Sequence, residues 1–168
     1  MTTAVVDIET DNLDASHIHC IVAQHYKTGE MREWVGDQCK EFGQWSKKID
    51  TFIMHNGLSF DAPVLNKLTG SKISSSQVRD TLLESQLFNP IRDGGHSLKA
   101  WGKELNYHKF DYDDFNHFTL EMLDYCKQDV ALTRKVAQRL ELEGTKFSKK
   151  SYELERDVRV IIDNQERN

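Results

Sequence analysis

Three groups of side chains in this 168-residue chain have types and spacings that could do chemistry. The first is Asp7-Ile8-Glu9. It ends a short β-rich run, Ala4 to Ile8, and side chains alternate across a strand, so Asp7 and Glu9 point to one face. Two carboxylates so placed repel each other and lose solvation. Either their pKa values rise or a cation sits between them. The second is Asp61, in the block His55-Asn56-Gly57-Leu58-Ser59-Phe60-Asp61, after a strand and at a helix start. The third is Tyr125 with Asp129, four apart on a helix and so about one turn apart on one side. A phenol and a carboxylate in that relation can hold a water between them. Each group also has an ordinary reading: the start of a solvated loop, a helix N-cap, a surface helix.

The elements that must position these groups follow from periodicity and turn chemistry. Ala4–Ile8 reads as a buried strand. Ile18–Tyr26 and Met31–Val35 have strand composition and flank the turn Lys27-Thr28-Gly29-Glu30, which predicts an antiparallel start to a sheet. Cys39–Ile49 carries Phe42, Trp45 and Ile49 at helical steps. Thr51–Asn56 is a further strand, broken by Gly57. A helix follows from Asp61, with Asp61 as its cap and Pro63 in its first turn. Asp80 precedes a short helix that Asn89-Pro90 ends, and Ser97 caps Leu98–Leu105. The longest helical pattern runs from about Phe118 to Leu142, with Leu123, Val130, Ala137 and Leu140 on one side. A charged helix from about residue 148 to 168 closes the chain, with Leu154, Val158, Ile161 and Ile162 as an apolar stripe. Strands first and helices later give an α/β reading, a mixed β-sheet flanked by α-helices, in one domain over residues 1–168.

Composition narrows the class. Hydrophobic residues are 38% and charged residues 29%, which suits a folded domain with a core. No apolar run approaches the ~20 residues of a membrane helix, and the acidic start is no secretory signal. Cys20, Cys39 and Cys126 form no Cys-x-x-Cys pair, so the expected home is a reducing cytoplasm. The formal net charge is −5, from 22 Lys+Arg and 27 Asp+Glu. That argues against a binder that grips duplex nucleic acid by its phosphates. It leaves room for an enzyme whose metal ions bring the positive charge. His17 and His19 lack a third and fourth zinc ligand and read as exposed strand histidines. Gly94-Gly95 has no following Lys-Ser/Thr and is no P-loop. Lys99 and Lys103, one turn apart, are either phosphate contacts or a solvated face.

The ordered combination is more specific than its parts. Strand-borne Asp-x-Glu, an Asn-containing turn leading to Asp at a helix start, and Tyr-x-x-x-Asp on a late helix resemble the DnaQ-like, or DEDD, 3′→5′ exonucleases. Tyr125 four before Asp129 fits the tyrosine subclass, since position 124 is Asp rather than His. The block ending at Asp61, Asp80-Thr81-Leu82 and the Gly94–Gly102 run GGHSLKAWG are similar to the proofreading domain of family A DNA polymerases of short-tailed phages. The resemblance spans nearly the whole chain. It implies an RNase H-like fold and two divalent cations, Mg²⁺ or Mn²⁺, held by Asp7, Glu9, Asp61 and Asp129. Asp7 would bridge both ions, Glu9 and Asp129 would complete the ion that activates water, and Asp61 would serve the other ion. Tyr125 would orient the attacking water with Glu9, since a phenol is a poor base at neutral pH. Thr10, Leu13 and Asn56 would contact the terminal nucleotide. The expected substrate is a single-stranded or frayed DNA 3′ end, cut to nucleoside 5′-monophosphates, and the expected partner is a DNA polymerase in cis or in trans. The expected location is the cytoplasm, the host's if phage-encoded. An exoribonuclease and a non-catalytic polymerase-binding module are the alternatives. No palm or fingers sequence follows the tail, so the expectation is an exonuclease excised or encoded apart from its polymerase. The apolar stripe of the tail is expected to pack on the domain's own core, with a polymerase body as the other candidate surface.

Overall fold

The computed structural model describes residues 1–108 and 110–166. Arg167 and Asn168, the end of the expected tail helix, lie outside the described residues. Five strands form one mixed sheet in the order β3-β2-β1-β4-β5. They are β1 (Thr3–Thr10), β2 (Ile18–His25), β3 (Met31–Val35), β4 (Thr51–Met54) and β5 (Val78–Asp80). The pairs β1/β2 and β2/β3 are antiparallel, whereas β1/β4 and β4/β5 are parallel. The helices are α1 (Phe42–Trp45), α2 (Asp61–Thr69), α3 (Thr81–Phe88), α4 (Leu98–Glu104), α5 (Leu120–Glu143) and α6 (Lys149–Glu166). This is the mixed α/β sheet flanked by helices that the sequence predicts.

The central strand β1 is covered on both faces, and alternation decides which side chain goes where. Ala4, Val6 and Ile8 pack with Phe42, Phe52, Leu65 and Trp34 on one side. Val5 packs on the other side with Cys20, Val22 and Ile53 against Met122, Cys126 and Val130 of α5. Asp7 and Glu9, in step with Val5, must therefore face α5. Helix α5 reaches that position because its buried residues recur at three and four: Met122, Cys126, Asp129, Val130, Thr133, Val136, Ala137 and Leu140. Thr119 caps it, its hydroxyl accepting from the Met122 amide at 3.0 Å.

Three expectations need correction. The Cys39–Ile49 segment is not one helix: α1 is a single turn between 3₁₀ turns at Gly36–Glu41 and Ser46–Lys48. Gly43 lies against the carbonyl of Thr69, which a Cβ would meet at 2.3 Å, so close packing of the α2 end rather than helix propensity shapes the segment. Strand β5 was not predicted, since its three residues are too short for an alternation signal. The tail is helical, but its stripe does not pack on the core: Leu154, Val158, Ile161 and Ile162 are 64%, 42%, 57% and 44% exposed. The other side of α6 docks instead. The Tyr152 hydroxyl accepts from the Asp80 amide at 2.8 Å and donates to the Val78 carbonyl at 3.2 Å. Ser59 donates to Asp163 at 2.6 Å, and Val160 packs on the core. These polar anchors on β5 and the α2 approach fix the rotation of the helix and leave the stripe outside. Among the described residues no helix is long and apolar enough to cross a membrane.

Candidate active site

The strand ends build the site. Strand β4 pairs with β1 from Thr3 to Val5, and among the described residues no strand continues along that edge of β1 beyond Val5. Asp61, at the first residue of α2, fills that gap, and its carboxylate takes a hydrogen bond from the Ile8 main chain. The chain turns there from β4 into α2 through Asn56, at φ 66°, and Gly57, where a Cβ would lie 2.2 Å from that of Met54. The expected capping role for Asp61 is not observed: the N-cap is Phe60, with no side-chain capping bond. Asp61 points into the protein because a partnerless strand edge lies there, and a cap reading from sequence has no access to that edge.

Four carboxylates from three elements converge. One oxygen each of Asp7 and Glu9 and the sulfur of Cys126 lie within 4.8 Å of one another. Burial, then the charges of Glu9, Asp61 and Asp129, hold the Asp7 carboxyl well above the usual carboxylate range, while the Cys126 thiol, donating to Asp7 Oδ2 at 3.4 Å, acts the other way. Burial pushes Asp61 up to about 7, with main-chain hydrogen bonds opposing and the charges of Asp80 and Asp129 adding to the rise. Glu9, Asp61 and Asp129 are all less than a tenth exposed. Carboxylates crowded this way stay charged at neutral pH when a hard cation sits among them, and an oxygen-rich donor set suits such an ion. The donors present therefore fit the divalent metal that the sequence resemblance implies.

Tyr125 is half-buried, one turn from Asp129 on α5. Its ring lies among three aromatics of the segment before α5: Tyr112, Phe110 and Phe115, at centroid distances of 5.7, 6.0 and 6.5 Å. That segment is tied down by the Phe115 carbonyl, 3.0 Å from His19 Nε2. His19 is buried, not exposed as the sequence suggested. The β1/β2 register pairs Glu9 with Cys20 and Thr10 with Ile18, so His19 is the extra residue of a bulge, a device that re-aims side chains near sites. His17 precedes the strand and is exposed.

The three expected nucleotide contacts fare differently. Thr10 is buried, and its hydroxyl donates to the Asn12 carbonyl at 3.0 Å. Leu13 is 90% exposed and borders a depression shared with Phe60, Pro63 and Val64. Asn56 is half-buried, its amide bonded to Asp80 at 3.0 Å. Lys99 pairs with Asp111 at 3.0 Å on the surface.

Sequence reasoning missed the part played by Asp80. Its carboxylate accepts from the amides of Asn56 and Leu58, both at 3.0 Å, and caps α3 through Leu82 and Leu83. It thus fixes both the α3 start and the turn that delivers Asp61. Asp80→Ala strands several buried amides and is expected to lower stability by about 3 kcal/mol, read from the urea midpoint, with Asp80→Asn recovering part. A loss below about 0.5 kcal/mol would show that the turn holds without it. The five aromatics between Tyr107 and Phe118 were the available signal for the cluster around Tyr125.

Comparison with known proteins gives consistent relatives. The chain is 28% identical to the DNA-directed DNA polymerases of Enterobacteria phage T3 and Escherichia phage T7, over 81% of its own length. It spans about a quarter, 26%, of the length of those polymerases. In fold it is similar to Brucella melitensis NrnC with bound Mg²⁺ (TM-score 0.65, 22% identity, 97% of this chain and 85% of that one). It is also similar to Phi29 DNA polymerase complexed with single-stranded DNA (TM-score 0.63, 16% identity, 91% of this chain and 34% of that one). No family model matches the chain. The resemblance to DnaQ-like 3′→5′ exonucleases is thus supported by sequence relatives and by an RNase H-like fold.

Proposed function

We propose that this DnaQ-like chain is a metal-dependent 3′→5′ exonuclease that trims single-stranded or frayed DNA ends and serves a DNA polymerase as its proofreader. The observation that carries the reading is the convergence of Glu9, Asp61 and Asp129 on Asp7. Its sequence relatives are polymerases, and a fold neighbour is described with bound Mg²⁺. Asp7, Glu9, Asp61 and Asp129 would hold two divalent cations, which when bound supply a nucleophile from water at neutral pH and neutralise charge on the phosphate.

The chain's own residues do the rest. The four acids repel a phosphodiester until metal is present, so affinity is concentrated on the terminal nucleotides that reach the metal-loaded acids. Tyr125, fixed by Phe110, Tyr112 and Phe115, orients the attacking water. Leu13 and Phe60 offer an apolar rest for the terminal base. A mispaired 3′ end is already unstacked and enters at little energetic cost, which selects errors without base readout.

The test is a 5′-labelled single strand incubated with purified protein and Mg²⁺ or Mn²⁺. The expected result is a ladder shortening from the 3′ end with nucleoside 5′-monophosphates released. An intact strand under both metals overturns the proposal. Faster trimming of RNA than of DNA would move the substrate to RNA and leave the chemistry. Tyr125→Phe keeps the ring packing and loses the hydroxyl, so turnover is expected to fall about 10- to 100-fold with KM little changed. Unaltered turnover would remove Tyr125 from the mechanism.

A further inference from the structure

The thiol beneath the acids has no part in the nuclease reading, yet it sits within their reach. Cys126 is fully buried on α5, three residues before Asp129, so one helix side brings both to the same centre. Its sulfur lies 3.4 Å from Asp7 Oδ2 and within 4.8 Å of a Glu9 oxygen. In a tetrahedral zinc site, with metal–oxygen and metal–sulfur bonds of about 2.0–2.3 Å, neighbouring donors stand roughly 3.4–3.8 Å apart. Small side-chain shifts would bring the three donors to that spacing. The thiol is fully buried, in contact with Asp7 and also with the Cys20 side chain.

We propose that Asp7, Glu9 and Cys126 form a mixed oxygen–sulfur site that captures thiophilic divalent cations such as Zn²⁺ and Cd²⁺ in the acid centre. The inference rests on the same acid centre as the nuclease reading and adds a donor to it. Hard ions leave the sulfur alone, and the thiol goes on donating to Asp7. A soft ion recruits it: the sulfur–cation bond forms as the thiol proton passes to solvent. Cys126 thereby sets which cations the pocket discriminates. A captured soft ion occupies the two carboxylates that the productive ions need, so it acts as an inhibitor.

The test titrates Cd²⁺ into the metal-free full chain and follows the ultraviolet thiolate-to-cadmium absorption band. The band is expected to saturate at about one equivalent, to be suppressed by excess Mn²⁺, and to vanish in Cys126→Ser. Cd²⁺ affinity in Cys126→Ser is expected to fall by at least the roughly 10- to 100-fold seen when even an outer partner of a metal ligand is lost. Absence of the band in the wild-type protein overturns the proposal without any variant having to fold. A band that survives Cys126→Ser, or that follows Cys20 or Cys39 instead, overturns it as well. A Mg²⁺ nuclease assay on the same preparation separates the two readings. A band without nuclease leaves this cation site and removes the proposed function, and nuclease without a band does the reverse.

Discussion

Asp7→Asn is expected to lower nuclease turnover by about 10³-fold or more, well beyond the 10- to 100-fold typical of a residue that only supports a metal ligand. Asp7 is the acid on which Glu9, Asp61 and Asp129 all act, so no neighbour can replace it. The amide keeps the size of the carboxyl and an oxygen for the Cys126 thiol, so the fold should survive. It should in fact be firmer. Removing one of four crowded charges is expected to raise the stability of the metal-free protein by about 1–2 kcal/mol. Single-turnover cleavage with Mn²⁺, together with urea unfolding in chelator, checks both halves. Turnover within tenfold of wild type would mean that the chemistry is elsewhere; reduced stability would mean that Asp7 is satisfied as it stands.

The second large effect is a dependence of stability on pH that metal should erase. Asp61 titrates at about 7 in the folded chain against 3.8 for a free side chain, with burial as the leading cause. Asp7 is displaced in the same direction, again chiefly by burial. A carboxyl whose folded pKa lies above its unfolded one stabilises fully below the unfolded value, and that contribution is lost as pH rises through the folded value. For Asp61 the window is about pH 4 to 7, and the loss across it is on the order of 4 kcal/mol. Asp80 and Glu84, raised mainly by burial, pull the same way. Asp11, lowered to about 2 chiefly by its bond from the Ser16 hydroxyl, matters only below that window. The metal-free protein should therefore melt lower at pH 8 than at pH 5. Mn²⁺ should restore most of the difference at pH 8 and do little at pH 5, because it binds the charged acids. Calorimetric scans with chelator and with Mn²⁺ decide the matter. A metal-free melting temperature flat between pH 5 and 8 would contradict the crowding of these acids.

What could be read in advance follows the range of the forces involved. Asp7 with Glu9, and Tyr125 with Asp129, were legible because strand alternation and helical pitch are local rules. So were the Ser97 cap and the inward side of α5, which a stretch of sequence carries within itself. Asp61 was expected among the acids and also as a cap; it joins the acids and does not cap, since its direction depends on the β1/β4 pairing ending at Val5. His19 was misread because a bulge breaks the alternation that the argument relied on. Strand β5 was too short to show a period, and the rotation of α6 was set by Tyr152 and Asp163 rather than by its apolar stripe. The contact of Cys126 with Asp7 joins residues 119 apart in sequence, beyond the reach of any local rule.

Asp80 meets the terminal helix on one side and the approach to Asp61 on the other. Its amide proton goes to Tyr152, while its carboxylate holds the amides of Asn56 and Leu58. Any tilt of α6 is therefore felt at the turn that aims Asp61. The helix that faces outward with its apolar stripe and the turn that carries Asp61 are joined through Asp80 and again through Ser59 and Asp163, so whatever grips the tail also has a mechanical handle on how the four acids are arranged.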